Sequence, residues 1–307
     1  MPELILHHYD GSPYAEKIRL ALGLKGLAWR SVEIPRILPK PDLMPLTGGY
    51  RRTPVLQIGA DIYCDTERIA TELERRRPHP TLYPDGSRGL AAVVGLWVSH
   101  TLFSTAVGWS FSLNAEKYPL EFHQDRAAMR GAEVNLERIK AAGPRHCDRL
   151  RAQLDWIEAT LVDGRRFLLG ANPGLADLSV YHCLWFVRRN GRRAAAVLEP
   201  YERTRAWMER VARIGHGTPT PMEPTRALDV ARRAQSSAVP SVDLHDASGL
   251  RPGDRVTVTA EDTGRDPVAG EVVRVSVHDI AIRRSDPRVG EVVCHFPRVG
   301  YQVRRLG

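Results

Sequence analysis

Cysteine is scarce in this sequence, and so are aromatic residues and long apolar runs. Four cysteines, Cys64, Cys147, Cys183 and Cys294, stand among 307 residues, and aromatic side chains make up 7% of the chain. The cysteines form neither a CxxC pair nor a metal-ligand spacing, which argues against a disulfide framework or a zinc site. They suit reduced thiols in the cytoplasm, and no metal is expected. No run of about eighteen apolar residues occurs and the N-terminus lacks a basic-then-apolar leader, so neither a membrane span nor a signal peptide is expected.

An excess of negative charge is also lacking. Lys and Arg number 44 against 36 Asp and Glu, for a formal net charge of +8. Residues 241–307 hold ten arginines and ten acidic residues, so the excess lies in the first 240 residues, much of it over 145–151 and 188–193. The arginines are not interleaved with aromatics. Solvated helix faces account for most of them, and a basic field favours an anionic small ligand over nucleic acid. The length suits two domains or three.

The chain is organised around Arg52-Thr53-Pro54-Val55-Leu56-Gln57-Ile58-Gly59-Ala60-Asp61-Ile62-Tyr63-Cys64-Asp65-Thr66. Val55, Leu56 and Ile58, then Ile62 and Tyr63, spell two short strands about a Gly-Ala-Asp turn, hence a hairpin. A helix follows over 67–77, capped by Asp65 or Thr66, with Ile69, Ala70 and Leu73 at helical spacing. Pro54 keeps its segment off the middle of a sheet ladder. An extended peptide can pair with the backbone there and set its amine against Asp65. Upstream, 4–9 reads as a strand, 10–14 as a turn and 15–24 as a helix.

These residues resemble the glutathione transferase superfamily. Ser12-Pro13-Tyr14-x-x-Lys17-Ile18-Arg19-Leu20 stands where the family carries its activating residue at a helix N-terminus, with Ser12 at the Ser or Cys position. Pro54 stands at the family's cis-proline, and Asp65-Thr66 at the acidic-hydroxyl pair that holds the γ-glutamyl end. The resemblance covers residues 1 to about 215. It implies an α/β thioredoxin-like domain over 1–80, an all-α domain over 86–215, glutathione as co-substrate and a homodimer. Arg52, Thr53, Pro54, Val55, Asp65 and Thr66 would bind glutathione, with Arg52 or Lys40 serving its glycine carboxylate and Tyr9 and Tyr14 lining the pocket. The prolines at 35, 39, 41 and 45 exclude a regular helix there.

Past residue 85 helices dominate, over 90–113, 126–142, 149–161 and 197–211. The stretch 167–181 resembles the family's buried capping-box helix, in which Asp177 returns a hydrogen bond to the backbone at Gly174. Glycine departs from the usual Ser or Thr cap at a cost of only a few tenths of a kcal/mol. Residues 216–248 read as a linker with one short helix over 224–234. Residues 249–307 alternate in five short strands between Gly and Pro turns, a small antiparallel barrel-like module outside the resemblance. Its zero net charge points to docking on the helical domain, across a dimer or on a protein partner.

Ser12 followed by proline at the first helical position brings together a hydroxyl and the positive end of a helix dipole, and both lower the pKa of a bound thiol. A plain helix cap looks the same in sequence. Tyr9 and Tyr14 are alternative hydroxyl donors, and Asp65 is either a ligand contact or a cap. His7 and His8 read as core residues and Cys64 as a small buried hydrophobe. Trp109, Phe111 and Tyr118 belong to an electrophile pocket or to the core. The expected function is a glutathione-dependent transferase that conjugates the thiol to a hydrophobic electrophile. The alternatives are a non-catalytic glutathione-binding or interaction protein and a glutathione-dependent isomerase, reductase or dehalogenase. Serine at position 12 argues against thiol–disulfide exchange.

Overall fold

The computed structural model describes residues 2–306. Its N-terminal part runs β1 (Ile5–His8), α1 (Pro13–Leu24), β2 (Ala28–Glu33), the single turn α2 (Met44–Thr47), β3 (Val55–Ile58), β4 (Asp61–Cys64) and α3 (Thr66–Arg76). β1 pairs with β2 in parallel and with β3 antiparallel, and β3 and β4 form the expected hairpin. The proline-rich stretch stays irregular up to α2. Ser12 is the N-cap of α1 and Asp65 the N-cap of α3.

The helical part contains α4 (Arg88–Trp97), α5 (Phe103–Asn114), α6 (Leu120–Ala128), α7 (Leu136–Ala141), α8 (Gly143–Thr160), α9 (Leu175–Arg189), α10 (Arg192–Ala195) and α11 (Glu202–Ala212). A π turn over Val98–Leu102 joins α4 to α5. The resulting stretch Arg88–Lys117 is long and apolar enough to cross a membrane by length and composition. Here it packs into the bundle through the buried Ala91, Val98, Leu102 and Ala106. The helix expected over 126–142 is broken. Gly131 takes a left-handed backbone (φ 63), and Asn135 starts α7 afresh by accepting the N–H of Arg138.

Asp177 closes the expected box. Its Oδ2 accepts the N–H of Gly174 at 3.0 Å, and its Oδ1 accepts the N–H of Leu168 and the indole N–H of Trp207, each at 2.8 Å. A Cβ at position 174 would lie 2.8 Å from Pro84 Cδ and 3.0 Å from the Leu82 carbonyl oxygen. Crowding by the incoming chain therefore requires glycine there.

The segment expected as a linker adds structure of its own. β5 (Thr218–Pro221) pairs in parallel with β2, and α12 (Pro224–Arg233) buries Ala227, Leu228 and Ala231. A Thr-Pro-Thr-Pro strand is possible because it lies at the sheet's edge, where missing N–H donors cost nothing. β6 (Ser241–Val242) precedes the five strands of the tail, β7 (Arg255–Ala260), β8 (Val268–Val275), β9 (Asp279–Asp286), β10 (Gly290–Pro297) and β11 (Tyr301–Arg305). The last strand returns to the first, giving the antiparallel order β11-β7-β8-β9-β10. β10 also pairs in parallel with β4, Val293 opposite Asp61, Cys294 opposite Ile62 and His295 opposite Tyr63. One sheet thus runs β11-β7-β8-β9-β10-β4-β3-β1-β2-β5, with β6 beside β8. The tail joins the N-terminal sheet rather than packing chiefly on the helical part as expected, because the free edge of β4 offers it a ladder of backbone hydrogen bonds.

Two apolar layers flank this sheet. On one side α1, α3 and the bundle meet through residues such as Ile18, Leu56, Ile69, Leu102 and Leu178. On the other, Ile5, Val55 and Ile62 share a core with Leu46 and Leu228 and with Val256, Ile280 and Phe296 of the tail. A shared core makes the tail and the N-terminal sheet one cooperative unit. Phe296→Ala, at a fully buried position, should cost about 3–5 kcal/mol. In calorimetry it should shift a single transition that includes the N-terminal sheet. A separate transition for the tail, shifted alone, would show two independent units.

Candidate functional site

A cleft of about 2650 Å³ is bounded by all three parts of the chain, with Ser12 and Asp65 from the N-terminal part, Phe103 and Phe111 from the bundle and Asp262 and Tyr301 from the tail. Ser12 sits at the start of α1. Its N–H donates to the Tyr9 carbonyl at 3.1 Å, and its Oγ accepts the N–H of Ala15 at 3.2 Å. Its own proton has no acceptor among the described residues, so the hydroxyl is both a cap and a spare donor. Thr53–Pro54 is a cis peptide, and β3 begins directly after it at Val55.

Asp65 has a left-handed backbone (φ 76), which is uncommon outside glycine. Its Oδ1 accepts the N–H of Glu67 at 3.0 Å, and its Oδ2 accepts the hydroxyl of Tyr301 at 3.0 Å. It is thus a cap that keeps lone pairs to spare. Neither oxygen meets a cation among the described residues, whereas neighbouring Glu67 holds Lys17 at 2.5 Å. Thr66 Oγ1 accepts from the same Lys17 at 3.4 Å.

The cations are arranged differently from the sequence expectation. Arg52 is engaged by the Asp262 carboxylate and the Thr263 carbonyl oxygen, and its guanidinium lies 5.9 Å from the centre of the Tyr301 ring. Lys40 is buried, and its Nζ donates to the Arg51 carbonyl at 2.9 Å and to Thr53 Oγ1 at 3.0 Å. Burial and the nearby Arg126 and Arg51, only partly offset by Asp125, push its pKa down to about 7. Arg36 lies 5.9 Å from the centre of the Tyr9 ring, and Arg126 reaches the Tyr9 hydroxyl at 3.4 Å. Asp125 joins Arg51 to Arg126.

Tyr14 is used differently from Tyr9. Its ring packs 4.6 Å from Phe103 and 4.9 Å from His182, and burial pushes its pKa well up. Its ring forms part of the cleft wall. Phe111, Tyr118 and Phe122 form an aromatic wall, while Trp109 donates its indole N–H to the Ala194 carbonyl at 3.0 Å. His7 bonds Gln57 and His8 bonds Ser31, each at 2.8 Å, behind the site rather than in it. Cys64 is buried in the lower core, the one that the N-terminal sheet shares with the tail. Among the described residues no three His, Cys, Asp or Glu side chains are placed to hold a metal ion. Tyr50, Asp262 and Tyr301 escape a sequence reading altogether. Tyr301 follows Asp65 by 236 positions, and no local pattern ties the two.

Two sequence profiles match the chain. The one described as the glutathione S-transferase N-terminal domain covers residues 6–81, and that of the glutathione S-transferase C-terminal domain covers residues 140–210. A search of curated proteins returns no match. The crystal structure of a GST-like protein from Pseudomonas syringae is 39% identical, covers 100% of both chains and has a TM-score of 0.78, so the similarity extends through the tail. A glutathione S-transferase from Rhodospirillum rubrum is 23% identical over 68% of this chain and 87% of that one, with a TM-score of 0.53. FzlA from C. crescentus is 21% identical over 78% of this chain and 96% of that one, with a TM-score of 0.55. The last two show the shared fold.

The histidines behind the site generate a pH dependence. Burial lowers the pKa of His7 and of His8 from 6.5 to about 4. Unfolded, each binds a proton near pH 6.5 that the folded chain refuses until about pH 4, so their contribution is complete above 6.5 and is lost as pH falls. At pH 5 the loss is about 2 kcal/mol for each. Urea unfolding midpoints should drop steeply between pH 7 and 5; a flat profile would mean that both imidazoles are charged and solvated.

Proposed function

The chain belongs to the glutathione S-transferase superfamily, and from that premise we propose that it binds glutathione along β3 and the start of α3 and activates its thiol with Ser12. The observation that carries this reading is the pairing, within one cleft, of a cation-free carboxylate at Asp65 with a spare hydroxyl proton on Ser12 at a helix N-terminus. Asp65 receives the γ-glutamyl ammonium and Thr66 the adjoining carboxylate. The cysteinyl backbone pairs with the chain at Thr53, Pro54 and Val55. Lys40 takes the glycine carboxylate in place of Arg52, which Asp262 already holds.

Ser12 donates its proton to the sulfur, and the N-terminal N–H groups of α1 add positive potential, so the thiol gives its proton to water and stays a thiolate. The sulfur then forms a bond to the electrophilic carbon, and the leaving group departs with the bonding pair. Phe103, Phe111 and Phe122 offer an apolar wall to the electrophile. The exposed apolar residues Leu90, Val93 and Leu96 of α4, and the exposed Trp156 of α8, whose ring lies 6.1 Å from that of Trp97 on α4, support the homodimer. Four free thiols suit a cytoplasmic protein.

Ser12→Ala should lower kcat/KM for glutathione and a nitro-activated aryl chloride roughly 100-fold, while the glutathione Kd in calorimetry moves less than about threefold. Equal loss of binding, or no loss of either, would remove Ser12 from the chemistry. A wild-type protein silent at millimolar glutathione would remove the transferase reading. Affinity for S-methylglutathione, which has no thiol to titrate, should fall as pH rises past 7 and Lys40 loses its proton. Lys40→Met should bind more weakly at pH 6 and show no such fall.

A further inference from the structure

The tail meets the N-terminal part at several points between β7 and β11, and two of them, at Asp262–Thr263 and at Tyr301, line the cleft. Arg284 on β9 bonds the Pro45 carbonyl, and Arg288 donates to the Pro41 carbonyl at 2.8 Å and pairs with Asp42 at 2.6 Å. Cys294 on β10 donates to the Leu46 carbonyl at 3.4 Å. The turn after β7 holds Arg52 through Asp262 and Thr263, and the N–H of Gly264 donates to the Met129 carbonyl beyond α6 at 2.8 Å. The start of β11 brings Tyr301 onto Asp65. The irregular loop ahead of Pro54 is thus tied down by residues of the tail.

Tyr301 is itself well held. Its ring packs 5.6 Å from that of Phe296 and 6.5 Å from that of Tyr50, and the Tyr50 and Tyr301 hydroxyls lie 3.3 Å apart. One hydroxyl proton serves one acceptor. Tyr301 gives its proton to the carboxylate and takes one from Tyr50, a relay that ends on Asp65 Oδ2. Arg52, beside the same ring, would be a competing partner for Asp65, and Asp262 draws it away.

We propose that Tyr301 is a positioning residue of the ligand site, whose hydroxyl, backed by Tyr50, fixes the Asp65 carboxylate to receive the ammonium group of a γ-glutamyl ligand. The tail is on this view a wall of the site and not a recruiting module. The proposal rests on the glutathione reading and adds to it the group that orients the ammonium acceptor.

The test is calorimetry on the full chain with two ligands, glutathione and its analogue lacking the γ-glutamyl amine. Wild type should prefer glutathione. Tyr301→Phe, which keeps the ring, should lose about five- to tenfold in affinity for glutathione and none for the amine-free analogue. Its KM for glutathione should rise by the same factor with kcat at saturation unchanged. Tyr50→Phe should show a smaller loss with the same ligand preference, and it serves as the test if Tyr301→Phe does not fold. Equal losses for both ligands, or no loss, would overturn the proposal while glutathione binding by wild type stands. Failure of wild type to bind glutathione would overturn the proposed function together with it.

Discussion

The parallel pairing of β10 with β4 is the interaction on which the rest of the structure depends. Without it β4 would end the N-terminal sheet with a row of unpaired N–H and C=O groups, a template for unwanted association. The junction is also bolted by a buried carboxylate. Asp61 on β4 accepts from His295 on β10 at 2.9 Å, from Ser236 Oγ at 2.6 Å, and from the N–H and Oγ of Ser237 at 2.9 and 2.7 Å. Burial alone would raise the Asp61 pKa, but these donors hold it well below the usual carboxylate range. His295 stacks on Tyr63 at 4.5 Å, and burial lowers its pKa. A charge so fully supplied with donors is tolerable in a core. A slip of one residue between β10 and β4 would break the bond from His295 to Asp61 and turn Cys294 out of the core it shares with Leu46 and Leu228, so the junction also sets the register.

Parallel orientation then decides what reaches the site. Because His295 lies opposite Tyr63, both strands end at the same edge of the sheet. β4 gives way there to Asp65, and β10 to the short connection that delivers Tyr301. An antiparallel docking of the same module would carry that connection to the far edge, beside the Gly59–Ala60 turn. The contact between Tyr301 and Asp65 is therefore a consequence of strand direction. The lower core enforces the direction by requiring Phe296, Ile280 and Val256 on the side of Leu46 and Leu228.

What the sequence made legible was local. Period-two runs and turn residues identified the β3–β4 hairpin and the five tail strands, and cap residues placed Ser12 and Asp65 at helix starts. The unread features are those in which distant segments decide the outcome. Strand alternation says that β10 has two faces but not which edge it will join, and its partner Asp61 lies 234 positions away. Gly174 looked like a weak cap because the crowding by Leu82 and Pro84 comes from another segment. Thr218–Pro221 looked like a linker because its prolines are acceptable only at a sheet edge that β2 happens to expose. Arg52 looked available for a ligand because Asp262 stands 210 positions downstream of it.

The charge balance of the tail has the same explanation. Its neutrality reflects pairing that is largely internal or directed across the junction. Arg274 and Arg68 share Asp279, Arg298 meets Asp246, Arg305 meets Asp254 and Arg288 meets Asp42. The more exposed of these pairs, such as those of Arg288 and Arg305, add little stability singly. Their effect is to remove the tail's cations and anions from the long-range field. The positive excess then persists where pairing is incomplete, and one such place is the cleft, where Asp125 is shared by Arg51 and Arg126 while Lys40 keeps only neutral oxygens. A concave site concentrates that potential, and with Arg52 engaged by Asp262 the cleft keeps Lys40 and Arg36 as cations that no carboxylate holds among the described residues.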